Sequence, residues 1–415
     1  MAAFFTPKTK TAEGFFAARR GIPRRDAEKT SRRSAQNDSQ INWSRGPGCE
    51  VETQEKFRSG GVGVAEGTLP GRSAQFTMEG TSSTAVPRQR IGIDIHAHYY
   101  PQSYLDVLGS DGKPFGGEYT QTPDGYLLKG GGFSGGPFPA KFTDLKLRLA
   151  DMDAQGVQVH ALSLTRPMPY FGSPDFALKL ARAFNNAANE AHLQYPARFV
   201  GLMTLPMTDR ERALDELERA SKLPGIRGVY LGCNVEGRDF SDPEFLSVFK
   251  RIEALGLPVF LHPNGAIGGK RFDPFYLANI LGNPFDTTIA ACHLIYGGVM
   301  DACPNLKITL PHAGGAIPML IGRMDQGYAV RRDVPNLPQP PSAYMRRFTY
   351  DIIGHKASVV KFLISEVGAD RVMLGSDYCL DMGYLRPVQD LDTLGLNARD
   401  RDLILHRTAA TLLKL

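Results

Sequence analysis

Nine histidines are spread through 415 residues, and two of them, His96 and His98, stand one residue apart in GIDIHAHYYP. The short apolar run before them reads as a strand. In a strand, residues i and i+2 point to one face, so both imidazoles reach a common point at its end. Other apolar runs finish in similar side chains: PVFLHP in His262, KITLPHAGG in His312 and VMLGSDY in Asp377. Imidazole nitrogen and carboxylate oxygen are donors that a divalent transition metal takes. Three or four of them with one coordination position left open make a catalytic centre rather than a structural one.

Those residues need a frame that brings strand ends together. From residue 91, short Val/Ile/Leu runs alternate with amphipathic stretches of period near 3.6. The strands are IGIDIHAH, VQVHALSLT, FVGLMTLP, GVYLGCNV, PVFLHP, KITLPHAGG, FTYDII and VMLGSDY. Helical segments such as FTDLKLRLADMDAQG, DRERALDELERASKL and DPEFLSVFKRIEALG separate them. Near-continuous apolar strands are those buried on both faces. Eight strand–helix units over roughly 320 residues predict an α/β fold, a (β/α)8 TIM-type barrel over 91–415. An open doubly wound sheet is disfavoured, because no Gly-rich phosphate turn follows the first strand. In such barrels chemistry sits at the C-terminal ends of the strands. His96, His98, His262, His312 and Asp377, from the first, fifth, sixth and eighth strands, therefore converge on one rim. A lone strand-end histidine is more often a hydrogen-bonded core residue; the joint placement is what points to a metal. His160 within the second strand, His192 and His406 in helices, His293 before the sixth strand and His355 just past the seventh are read as ordinary structural histidines.

Residues 1–90 have a different texture, rich in Arg, Ser, Gly and Pro with no sustained period. They carry 15 Lys+Arg against 9 Asp+Glu, so the formal +5 of the whole chain belongs to them and the barrel region is left at about −1. The barrel therefore has no electrostatic case for nucleic acid. The leader reads as a non-folding basic extension, or as the product of a start upstream of Met78. Glu13, Asp26 and Glu28 weigh against a transit peptide. No apolar run reaches about 18 residues, so no membrane span is expected. The five cysteines (Cys49, Cys233, Cys292, Cys303 and Cys379) are odd in number, scattered and free of CxxC. A disulfide framework is not expected, and a cytoplasmic protein is.

The barrel region resembles the amidohydrolase superfamily, in the branch similar to aminocarboxymuconate semialdehyde decarboxylase. IDIHAH, LADMDAQGVQVHALS, YPARFVGLMTLPM, PVFLHP, CHLIYGGVMDACPNLKITLPHAGGAIPMLIGRMDQGY and VMLGSDY carry the likeness, in family order. The resemblance implies one divalent metal, usually zinc, on His96, His98, His262 and Asp377, although ligand type alone leaves zinc and manganese open. It implies that His312 activates water or handles a proton. It implies that Arg148 and Arg323 grip a substrate carboxylate, Arg323 reaching across a homodimer. Binuclear relatives place a lysine or glutamate at the end of the fourth strand; GVYLGCNV has neither before Glu236, which implies a single ion. Three departures fall where the pocket is expected. HPNGAIGGKRFDP replaces a tryptophan-bearing loop, Cys379 replaces a proline, and Arg166 stands in SLTRPM where the resembled enzyme is apolar. Arg166 is accordingly a candidate for a second carboxylate or phenolate contact, against the plainer reading of a surface cation.

These groups suit decarboxylation. Losing CO2 leaves two electrons on carbon, and the barrier falls if a polarised group or an incoming proton takes them up. Imidazole exchanges protons near neutrality, Asp377 can shuttle one, and planar guanidinium forks orient a carboxylate. The expected function is non-oxidative decarboxylation of a small aromatic or muconate-type carboxylic acid. The alternative is a hydrolase or hydratase opening a lactone or amide on the same centre. A ligand-binding protein without turnover, and a nucleic-acid role through the leader, rank below both. The loops 112–141 and 264–285, which should line the pocket, are those the sequence explains least.

Overall fold

The structure, a computed structural model, describes residues 92–415 apart from 266 and 268. The expectations for the leader, including Met78 and Cys49, lie outside the described residues.

Among the described residues, eleven strands form two sheets. They are β1 (Gly92–His98), β2 (Glu118–Thr122), β3 (Gly125–Gly130), β4 (Phe133–Phe138), β5 (Val157–Ser163), β6 (Phe199–Met203), β7 (Ile226–Gly232), β8 (Val259–His262), β9 (Ile308–Leu310), β10 (Phe348–Asp351) and β11 (Val372–Met373). The large sheet runs β1-β5-β6-β7-β8-β9-β10-β11, with every neighbouring pair parallel. The last strand returns to the first. Ile95 N–H donates to the Leu374 carbonyl at 3.0 Å, and Ala97 bridges Tyr378 in parallel. This closes the TIM-type barrel that the eight predicted runs required, and each of those runs supplies one of its strands.

All seven residues of β1 are buried, as are all of β6, β8, β9, β10 and β11. That is why these segments read as continuous apolar runs: one face meets the barrel interior and the other the surrounding helices. The helices start where side chains can cap them. Asp144, Asp209 and Asp242 each accept backbone N–H bonds from the first turn of the helices Leu145–Gln155, Arg210–Ala220 and Pro243–Ala254, a cap worth about 1 kcal/mol.

One segment departs from the expectation of a plain loop. Within 112–141, β2, β3 and β4 pair antiparallel as a separate three-stranded sheet. Its signal is local. The hairpin turns through Pro123-Asp124-Gly125, a strong turn sequence, and GYLLKG alternates half-buried, buried and exposed positions. Frequent glycine obscures that alternation. Among the described residues no helix is long and apolar enough to cross a membrane, and Cys233, Cys292, Cys303 and Cys379 are free thiols.

Candidate metal centre

The closed barrel brings His96 and His98 from β1, His262 from β8 and Asp377, four residues past β11, to one point. One ligand atom from each lies within 4.8 Å of all the others, and all four residues are buried. His98 Nε2 is 2.9 Å from Asp377 Oδ1 and His96 Nε2 is 3.3 Å from the same oxygen. The rings of His96, His98 and His262 stand edge-on to one another, with centroids 4.8–5.3 Å apart. His312, which opens the short turn His312–Gly314 after β9, adjoins this group. Its Nε2 lies 3.9 Å from Asp377 Oδ2, and its ring centroid lies 5.5 Å from that of His96. Its side chain is 14% exposed, more open than the other three imidazoles.

The far nitrogen of each of the three buried rings is already engaged. His96 Nδ1 meets Asp351 Oδ2 at 2.9 Å, His98 Nδ1 meets Ser163 Oγ at 3.2 Å, and His262 Nδ1 meets the Pro263 carbonyl at 3.0 Å. The Nε2 atoms are thereby left to face inward, and His96 Nε2 is buried without a hydrogen-bond partner. Converging Nε2 atoms, a carboxylate and oriented back sides are what an imidazole–carboxylate metal site needs. The residues present fit a divalent ion.

Electrostatics agree. Burial holds His98 down at about 4 and His262 well below its ordinary range, so both rings are neutral, the form that ligates metal. Burial also works against the Asp377 carboxylate, but His96, His312 and His98 outweigh it and hold the group well below its ordinary range. His96 is raised, since Asp377 and Asp351 overcome its desolvation.

Two backbone sites carry the arrangement in unfavourable conformations. His312, Ala313 and Asp377 have φ of 53°, 54° and 61°, the left-handed region that non-glycine residues avoid. Asp351 at the end of β10 compensates at the first pair: its carboxylate accepts from His312 N–H at 3.0 Å and from Ala313 N–H at 2.8 Å, besides Ile353 N–H at 3.0 Å. Asp377 N–H donates to the His96 carbonyl at 2.9 Å. Within β1, the Asp94 carboxylate accepts from His96 N–H at 2.9 Å and from both the N–H and the hydroxyl of Ser376, and burial pushes it up to about 6. Asp351, Asp94 and Ser163 are functional supports that sequence reasoning missed. Asp351 obeys the same strand-end rule as the four ligand candidates and was findable by it.

The three arginines fall in different places. Arg148 is completely buried and is not among the residues lining the large cavity at this rim. Its Nη2 donates to the His98 carbonyl and, at 3.3 Å, to the Lys141 carbonyl, and its guanidinium lies 4.6 Å from the centre of the Tyr378 ring. Arg323 is exposed on the helix Ile317–Val330, where Met319 and Val330 are exposed as well. Arg166 lies three residues past β5, on the same rim as the ligand candidates, and lines the cavity together with His262, Tyr378 and Cys379. That cavity measures about 930 Å³ and is walled by Phe133 and Phe138 of the small sheet, by Tyr100 and Phe142, and by Tyr276 and Asn279. The loops 112–141 and 264–285 thus both reach it, as do the positions of two of the three departures, Arg166 and Cys379. His160, His192, His293 and His355 stay outside the cluster. His192 Nδ1 meets the Phe199 carbonyl at 2.8 Å, and His293 lies between Ser241 and Asp239.

Comparison with known proteins places this geometry. A family model described as amidohydrolase matches residues 93–415. The 2-amino-3-carboxymuconate-6-semialdehyde decarboxylase of Dictyostelium discoideum is 31% identical over 310 residues, covering 73% of this chain and 85% of that protein. The gamma-resorcylate decarboxylase of Rhizobium radiobacter is 28% identical over 251 residues, covering 57% of this chain and 76% of that protein. The crystal structure of 5-carboxyvanillate decarboxylase LigW from Sphingomonas paucimobilis superposes with a TM-score of 0.68 at 26% identity, covering 79% of this chain and 99% of that one.

Proposed function

The chain belongs to the amidohydrolase family, and from that premise we propose that it is a metal-dependent carboxy-lyase. It removes CO2, without redox chemistry, from a small aromatic or muconate-type carboxylic acid. One observation carries the reading: four donors within 4.8 Å, with the three imidazoles already hydrogen-bonded from behind, stand beside an aromatic-walled cavity in a chain similar to relatives that include several named decarboxylases.

His96, His98, His262 and Asp377 would hold the ion, and zinc is the proposed occupant, since three imidazoles and a carboxylate are a donor set it commonly takes. A divalent ion there would supply Lewis acidity to oxygen atoms brought against it. The remaining work belongs to the chain. His312, beside the Asp377 carboxylate and more open than its neighbours, gives a proton to the carbon that bears the carboxylate. The electron pair of the carbon–carbon bond then returns to the ring or diene as CO2 leaves, and His312 recovers its proton from solvent. Asp377 orients His312 and takes up the charge changes on it. The aromatic walls exclude water and stack a planar substrate. Arg166 binds substrate. Arg323 does so from a second copy of the chain, which makes the enzyme a homodimer; its exposure next to Met319 and Val330 supports that reading. Arg148 holds the His98 carbonyl and the Tyr378 ring from behind and acts by positioning.

The test is metal analysis of the purified protein, then CO2 release from a panel of aromatic and muconate-type acids, with and without chelator. Metal-dependent CO2 release supports the proposal. Ring opening of lactones or amides without CO2, or turnover undiminished in chelator, refutes it.

A further inference from the structure

Arg166 is a cation that the fold half-buries. No carboxylate among the described residues lies within ion-pair distance of its guanidinium, and no acceptor there forms a hydrogen bond with it. The other charged groups around the cavity are accounted for. Lys141 pairs with Asp151 at 2.6 Å, and Asp151 also accepts from the Tyr378 hydroxyl at 2.8 Å. Asp381 is exposed. Asp286, the acid whose field reaches Arg166, is committed elsewhere: it accepts from Asn264 N–H at 2.8 Å and from Asn234 Nδ2 at 3.1 Å. Arg148, though fully buried, donates to two carbonyls. A desolvated guanidinium without such partners is costly, and an arriving anion offsets that cost.

The side chain is also held in place. Its guanidinium sits 4.9 Å from the centre of the Phe133 ring, a cation–π contact that leaves the planar edge free. Its backbone is pinned by two buried tyrosines: the Tyr100 hydroxyl donates to the Arg166 carbonyl, and the Tyr104 hydroxyl donates to the Pro167 carbonyl at 2.6 Å. Arg166 lines the main cavity, which also reaches His262, and a second cavity of about 330 Å³ beyond it. A flexible surface cation would show none of this: no aromatic stack, no anchored backbone, no place on the wall of the cavity that reaches the candidate metal centre.

We propose that Arg166 is the receptor for a second anionic group on the substrate, so that the preferred substrate is a planar diacid or an acid–phenolate with one group at the histidine cluster and the other at Arg166. The proposal rests on the carboxy-lyase reading for which group departs, but not for the binding preference itself. The group at the cluster is the one lost. The group at Arg166 survives in the product and fixes the register of the ring or diene over the donors. Preorganised bidentate recognition of this kind discriminates by orientation as well as by charge.

Calorimetric binding to the metal-loaded full chain tests this with matched probes: cis,cis-muconate against sorbate, and isophthalate against benzoate. We expect at least one diacid to bind tenfold or more tightly than its monoacid partner. In Arg166→Gln that ratio should fall to within threefold of unity, with metal content unchanged. Arg166→Lys, which keeps the charge but not the fork, should retain part of the preference and guards against a Gln variant that fails to fold. A diacid preference absent in the wild type, or surviving in Arg166→Gln, overturns the proposal. CO2 release is followed in parallel. An Arg166-dependent diacid preference with no CO2 from any acid would sink the decarboxylase reading and leave the receptor standing, whereas CO2 release with no diacid preference would do the reverse.

Discussion

Replacing Asp351 with asparagine tests the reasoning about the site most sharply, because one carboxylate serves two ends of it. Oδ2 holds His96 Nδ1 at 2.9 Å and also accepts from His312 N–H at 3.0 Å; Oδ1 accepts from Ala313 N–H at 2.8 Å and Ile353 N–H at 3.0 Å. Asparagine keeps the shape and one accepting oxygen but turns the other position into a donor. If the oxygen stays towards Ala313 and Ile353, the new NH2 faces the His96 Nδ1 proton and the His312 N–H; if it flips, it faces the other pair. Either way two charge-assisted bonds are lost and donors confront donors. A buried hydrogen bond to a charged group is worth about 1.5–3 kcal/mol. Whichever way the amide turns, the charge behind His96 is gone, and loss of its charge-assisted bond should weaken metal binding by a factor of up to about 10–100, at 1.4 kcal/mol per tenfold. The left-handed His312 and Ala313 also lose their anchor, so CO2 release at saturating metal should fall as well. Competition titration against a chromophoric chelator measures the first effect, and turnover at excess metal the second. An Asp351→Asn protein that binds metal within about threefold of wild type and turns over normally would refute the supporting role given to Asp351.

Other expectations concern single groups. His312→Ala should retain metal within a few-fold, because His312 is not one of the four clustered donors, yet lose CO2 release by about 10²–10⁴; His262→Ala should lose the metal itself, and metal analysis beside turnover separates the two. Metal-free protein should become less stable as pH falls from 7 towards 4: His98 titrates at about 4 when folded against an ordinary 6.5, so the unfolded chain takes up the proton first, and the difference corresponds to about 3 kcal/mol lost across that window. His262 acts in the same sense and His96 in the opposite one; urea midpoints at pH 7, 5.5 and 4.5 should fall, and His98→Gln should flatten the trend. Arg148→Lys should lower thermal stability and metal occupancy together and lower kcat in proportion to metal lost, whereas a rise in KM with metal occupancy intact would return Arg148 to the substrate.

Local chemistry made the barrel and the five rim candidates, His96, His98, His262, His312 and Asp377, legible from the order of the residues; that four of them form the ligand set is implied by the family resemblance. Uninterrupted apolar strands had to be buried on both faces, eight of them alternating with helices favoured a closed barrel over an open sheet, and imidazoles two apart on a strand had to share a side. Donor types are few, so their recurrence at strand ends could be read although His96 and Asp377 are far apart in the chain. What Asp351, Arg148 and Arg166 touch, and that the small sheet walls the cavity, emerge only in the folded chain. An aspartate closing FTY fits the strand-end rule, but its particular partners show only once β10 lies between β9 and β11 and its oxygens meet the back of His96 and the turn at His312. The family resemblance implies that Arg148 grips a substrate carboxylate; whether its guanidinium points into the cavity or at the His98 carbonyl is a direction that helical spacing does not encode. Arg166 reads either as a second carboxylate or phenolate contact or as a surface cation, and the sequence does not show that Phe133, Tyr100 and Tyr104, from elsewhere in the chain, fold around it. Pattern and residue type report what a segment can do with its own neighbours. Which carbonyl, ring or empty wall a side chain meets across the barrel depends on packing between segments remote in sequence, and that is settled only when they fold together.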